Sequence, residues 1–177
     1  MQVRERFLQN HLQRSSKSMR FEKLSPFEAQ KSLEDCGYRC SLSEAEDIVN
    51  RLIMPSRSTE GSCGYDFRLP IGIHMDKGET KRVPLLIKIV GMNNHTALFI
   101  YNRSGLSLNK RVTLDNAVGV IDSDYKDGIV WQGTNMGTPK FMNANDKICQ
   151  GVFQYVVFVD DDKTEGTRLG GLGSTGD

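Results

Sequence analysis

The chain has 177 residues, 38% of them hydrophobic, and its 23 basic side chains against 22 acidic ones leave a net charge of +1. That length and apolar content suit one soluble globular domain with attached ends, and near-neutrality removes a general electrostatic case for nucleic-acid binding. No apolar run approaches the roughly 20 residues that would span a bilayer, and the longest, GVFQYVVFV, reads as a strand.

The first twenty residues carry Arg4, Arg6, Arg14, Lys17 and Arg20 against Glu5 alone. We read residues 1–22 as a flexible basic extension rather than an organelle-targeting peptide. Residues 23–55 form a helical pair. In SPFEAQKSLEDCG, Ser25 and Glu28 make a capping box, Pro26 sits at the first helical position and Gly37 ends the helix. In SEAEDIVNRLIMP, Ser43 and Glu46 repeat the pattern, Ala45, Ile48, Val49, Leu52 and Ile53 form one apolar stripe, and Pro55 stops it. Neither helix carries the Arg, Asn or Gln cluster that reads base edges, so the pair is assigned to packing rather than DNA binding.

From residue 56 to 162 the texture becomes β-rich, in short runs such as YDFRLPIGI, VPLLIKIV, TALFIYN, KRVTL, VGVIDSDY, GIVWQG and GVFQYVVFVD. Turn residues between them give the spacing of an all-β barrel or sandwich. Residues 163–177 are polar and glycine-rich, a segment without the apolar content to fold alone. Cys36, Cys40, Cys63 and Cys149 lack zinc-site spacing and are expected to stay reduced in a cytoplasmic setting.

Three segments carry chemistry. The tail string GGLGSTG, with Arg168 just upstream, offers convergent amide N–H groups and a guanidinium to phosphate oxygens; in isolation it also reads as a plain Gly/Ser end. NRSGLS follows an apolar strand, where Arg103, Ser104 and Gly105 can serve one anion or form an ordinary turn. NAVGVIDSDYKDGIV places Asp122 and Asp124 in an otherwise apolar run, read as a half-buried strand. A carboxylate there needs a partner, a cation or a chemical task. It can accept a proton from water beside bound phosphates, with Tyr125 offering a flat face to a sugar; Asp124 can equally make an internal salt bridge or cap a turn.

Across residues 60 to 177 the sequence resembles the trimeric dUTP pyrophosphatases (dUTPases), with five motifs in order: SCGYDFRLP, NRSGLS, NAVGVIDSDY, DKICQGVF and TRLGGLGSTG. The resemblance implies a jelly-roll-like β-barrel with a short N-terminal helical extension, assembled as a homotrimer whose C-terminal arms close over neighbouring sites. It implies hydrolysis of dUTP to dUMP and pyrophosphate, with Asp122 as the general base for water attack at the α-phosphorus. Tyr125 would stack on the deoxyribose, while Asn116 and the backbone at Gly119, Val120, Ile121 and Val130 would read uracil. Arg103, Ser104, Gly105, Gln150 and Arg168 would hold phosphates, with Gly173 and Ser174 in the closing tail. Asp66 would help place Mg2+ through water, the metal being held chiefly by the triphosphate.

The sequence departs from the family pattern at four places. Leu172 stands where an aromatic usually covers the uracil, Arg168 is one residue closer to the glycines, and Asn102 and Ser107 replace the usual proline and alanine. A related barrel enzyme, dCTP deaminase, needs an acid such as glutamate beside the pyrimidine, and NAVGVIDSDY contains no glutamate. Residues 1–55 match nothing in the resemblance, leaving them as an accessory, a trimer-packing element or a site for a protein partner.

Overall fold

A computed structural model describes residues 18–166 together with Arg168. The extension expected through residue 22 gives way at Arg20 to a strand, β1 (Arg20–Lys23), which pairs antiparallel with β5 (Ile87–Val90). Phe21 is the reason. Its ring lies 5.3 Å from Tyr65, 5.5 Å from Phe67 and 5.6 Å from Phe153, an aromatic cluster that ties this strand to the barrel.

Helix α1 (Pro26–Asp35) has the anticipated cap: the Glu28 amide donates to the Ser25 hydroxyl, and the Glu28 carboxylate accepts from the Ser25 amide. Gly37, at φ +87°, ends it by adopting the left-handed conformation that lacks a steric cost only in glycine. Helix α2 (Leu42–Arg51) begins earlier than the capping pattern at Ser43 suggested. Ser41 and Glu44 form the reciprocal cap instead; Ala45 and Val49 face inward, Leu52 at the C-cap is buried, and Ile53 falls beyond the helix and is exposed.

The body is all β, with β2 (Tyr65–Arg68), β3 (Ile73–Met75), β4 (Thr80–Pro84), β6 (Thr96–Asn102) and β7 (Val112–Leu114). β8 (Val118–Ile121), β9 (Val130–Asn135), β10 (Lys140–Met142) and β11 (Lys147–Tyr155) complete it. One sheet runs β2-β11-β6-β8, a second β4-β9-β7, and two pairs, β1-β5 and β3-β10, complete the barrel walls. The run VPLLIKIV is divided between β4 and β5 because Leu86, at φ 57°, turns the chain between them. The strand expected from GVFQYVVFVD is shifted toward the N-terminus: β11 starts at Lys147 and stops at Tyr155, leaving the second half of that run outside it.

A single hydrophobic cluster joins the barrel residues Phe67, Leu98, Trp131 and Ile148 to Leu24, Ala29, Leu33, Ala45, Val49 and Leu52. The inward residues of both helices therefore belong to the chain's own core, while Phe27 on α1 and Leu42 on α2 stay exposed. Lys88 on β5 reaches Glu28 at 2.9 Å, and this bond, with those from Ser25, lowers the Glu28 carboxyl to about 2. Because the folded value lies below the ordinary 4.5, the pair stabilises the fold above that pH and loses its effect as the pH falls from 4.5 toward 2. The urea midpoint of Glu28→Gln should consequently change less across that window than that of the parent chain. Parallel midpoint-against-pH curves for the two proteins would remove the pair from this role.

Candidate functional site

The predicted site residues fall into two groups at opposite ends of β6. At its C-terminal end, Asp66 on β2 pairs in register with Gln150 on β11, which pairs in turn with Tyr101 on β6. Asp66 is buried and gripped from several sides. Arg103 Nε lies 2.9 Å from Oδ1, Lys147 Nζ 2.6 Å from Oδ2, and Ser58 Oγ donates to Oδ2 at 2.9 Å. Burial alone pushes the Asp66 carboxyl upward, but the hydrogen bonds from Lys147 and Ser58 and the Arg103 charge hold it below its ordinary value.

Arg103 is thereby fixed at the start of the turn that contains exposed Ser104 and Gly105 and leads into a five-residue π-helical segment, Gly105–Asn109. Gln150 stands close behind: a Cβ placed on Gly64 would lie 3.0 Å from Gln150 Oε1, so glycine there admits the amide. Lys147 and Ser58 were not singled out in the sequence. Lys147 lies inside DKICQGVF, which was the available signal, although a register irregularity between Lys147 and Cys149 breaks the strand's alternation there; Ser58 carried none.

At the other end stand the aspartates. β8 stops at Ile121, so Asp122 is the first residue beyond the strand and its side chain is 53% exposed, not half-buried as the apolar run suggested. β6 pairs with β8 through Leu98↔Ile121, which puts Asp122 beside Ala97, whereas Arg103 lies past the far end of the same strand. Compensation for the two carboxylates comes from Arg168, whose Nη2 meets Asp122 Oδ2 at 2.5 Å and whose Nε meets Asp124 Oδ1 at 3.0 Å. The guanidinium also lies 5.6 Å from the Tyr125 ring centre. Tyr125 is only 7% exposed, and its hydroxyl donates to the Gly128 carbonyl at 3.0 Å. Burial pushes that phenol upward in pKa, so it stays a neutral platform.

At the Arg103 end of β6, just ahead of β8, Ala117 adopts φ 56° and the Val118 amide donates to the Asn116 carbonyl at 2.5 Å, a tight turn that leaves Asn116 exposed. Backbone strain of this kind is found where a side chain must be presented. Gly119 is half-buried opposite Ile100, Val120 points to solvent and Ile121 inward; Val130, expected with them, opens β9 in the other sheet. Leu172, Gly173 and Ser174 lie outside the described residues.

Asp66 can be tested against the implied magnesium. With Lys147 and Ser58 on Oδ2 and Arg103 on Oδ1, one acceptor direction of Oδ1 remains, which suits a metal-bound water and not direct ligation. His74, Asp76 and Glu79 also gather at the connection from β3 to β4, but Glu79 is already used by Lys81 and by the Asp76 amide.

An all-β barrel offering an arginine-centred polar cluster, and a separate carboxylate pair at a strand end, defines a protein built to handle a phosphate-bearing ligand. Comparison with known proteins narrows this. A sequence profile of the dUTPase family matches residues 50–176, and the chain belongs to that family. A deoxyuridine 5'-triphosphate nucleotidohydrolase of Haemophilus influenzae is 35% identical over 137 residues, covering 73% of this chain and 91% of its own. One from Paraburkholderia phytofirmans is 38% identical over 132 residues, covering 70% and 88% respectively. The crystal structure of dUTPase from Streptococcus mutans superposes with a TM-score of 0.57 at 30% identity, over 60% of this chain and 88% of that one. A dUTPase from phage phi11 of Staphylococcus aureus matches the fold more extensively, over 86% of this chain with a TM-score of 0.63 at 13% identity.

Proposed function

We propose that the chain hydrolyses dUTP to dUMP and pyrophosphate, with water attacking the α-phosphorus. The observation that supports this most directly is the exposed carboxylate of Asp122, mounted at the rigid end of β8 beside Asp124 and Tyr125 in a chain of the dUTPase family. Asp122 is the general base: exposed to solvent, it accepts the water's proton as the oxygen–phosphorus bond forms and the pyrophosphate departs. Arg168, which neutralises both carboxylates in the absence of a nucleotide, is drawn to the more highly charged triphosphate when substrate binds, which frees Asp122.

Tyr125 supports the deoxyribose; Asn116 and the Gly119–Ile121 backbone, with Val130, select uracil, and Leu172 covers it. Arg103, Ser104, Gly105 and Gln150 hold the phosphate chain, completed by Gly173 and Ser174. Magnesium bound to the triphosphate supplies charge neutralisation, and Asp66 holds one of its waters while keeping Arg103 in place.

One chain does not suffice. Six residues of extended strand separate the Asp122 level from Arg103, ~20 Å at about 3.3 Å per residue, well beyond the reach of one triphosphate. Both groups can touch the same substrate only when different copies contribute them, which supports a homotrimer with shared sites; Arg168 meets the carboxylates of its own chain. The four free cysteines suit a reducing, cytoplasmic setting. Incubation with dUTP and with dCTP tests the assignment: pyrophosphate released from dUTP is expected, and ammonia from dCTP would replace it with a deaminase.

A further inference from the structure

The segment preceding the family-matched region, which begins at residue 50, reaches the loop that carries Asp122 and Tyr125. Leu24, at the exit of β1, is 4% exposed and its amide donates to the Leu86 carbonyl at 3.0 Å. Its side chain fills the space that Gly128 leaves vacant: a Cβ placed on Gly128 would lie 2.8 Å from Leu24 Cδ1. The neighbouring Ile129 is fastened to the same backbone, its amide donating to Ile87 and its carbonyl accepting from Leu85, each at 2.8 Å. Gly128 in turn accepts the Tyr125 hydroxyl, and the Tyr125 amide donates to the Asp122 carbonyl at 3.2 Å. A continuous series of contacts therefore runs from Leu24 through Gly128 to the aromatic ring and the start of the loop.

We propose that Leu24 is a positioning residue for the reaction, setting how closely the Tyr125 ring approaches the sugar by bracing Gly128 from behind; this rests on the reading of Tyr125 as the sugar platform. Rejection of a ribose 2′-hydroxyl by a flat wall is steric, so it depends steeply on where the wall stands. Shortening a buried leucine leaves a cavity into which its neighbours relax only in part. The loop moves toward that cavity, the ring withdraws from the sugar, and the 2′-hydroxyl gains room. The cluster around Arg103, at the far end of β6, is untouched by this movement.

The test compares kcat/KM for dUTP and UTP, together with inhibition by pyrophosphate, in the full-length chain and in Leu24→Ala. Discrimination against UTP should fall by about tenfold or more, with pyrophosphate inhibition unchanged and selectivity restored in Leu24→Met. A loss of folding lowers kcat/KM for dUTP and UTP in the same proportion and leaves their ratio unchanged, which separates it from this effect. If Leu24→Ala does not fold, Gly128→Ala crowds the same contact from the other side and should shift the same ratio. A parent chain that hydrolyses dUTP, while folded variants keep its selectivity, overturns the role of Leu24 alone. A parent chain inert toward dUTP overturns both this role and the functional reading beneath it.

Discussion

Asp122→Asn should bind dUTP about as well as the parent chain and turn it over at least about two orders of magnitude more slowly, the usual scale for loss of a general base. The amide matches the carboxylate in size, and Arg168 keeps its second partner, Asp124, so the loop has little reason to move. One negative charge fewer near the triphosphate also relieves repulsion, which favours binding rather than opposing it. What disappears is the acceptor of the water's proton. Single-turnover hydrolysis beside titration with a non-hydrolysable dUTP analogue distinguishes the two effects. Turnover near that of the parent would exclude Asp122 as the base, and loss of binding together with rate would make it a structural anchor.

The second large effect requires two defective proteins. On the proposed mechanism Arg103→Ala removes a phosphate-holding group and Asp122→Asn the base, so each should be nearly inactive alone. If the two groups serve a site from different copies, co-expression in equal amounts makes some sites intact. Such a site takes its arginine from an Asp122→Asn chain and its aspartate from an Arg103→Ala chain, giving roughly one quarter of parental activity in a random closed ring. The expectation follows from β-sheet register: Leu98 pairs with Ile121 while Arg103 lies beyond Asn102 at the opposite end, a separation that side-chain rotation cannot close. Activity no greater than the sum of the separate variants would mean that one chain completes its own site.

Much of the architecture was legible because it depends on local chemistry. The Ser25–Glu28 cap and the glycine after α1 are decided by neighbours in sequence and stand where expected; the short β-branched runs became strands, but VPLLIKIV was divided and only the first half of GVFQYVVFVD joined β11. The start of α2 was misplaced because Ser41 and Ser43 both precede a glutamate by three residues, so the local pattern fits either, and the helix begins from Ser41. β1 was hidden in a basic segment whose strand character comes from a distant partner, β5. At the site, residue types in motif order identified the candidates but gave no information on distance. That Asp122 lies beyond its strand, and that Arg168 neutralises it together with Asp124, depends on tertiary contacts among segments far apart in the chain.

The pairing of β1 with β5 also bears on how the protein can be shortened. β5 has no other strand partner in its sheet, and Ile87 and Ile89 are buried along it. A version cut back to the family-matched region would uncover a flat, apolar row of unpaired amides and carbonyls, the kind of surface on which chains add to one another and aggregate. That edge is therefore covered by four residues that the family profile does not reach.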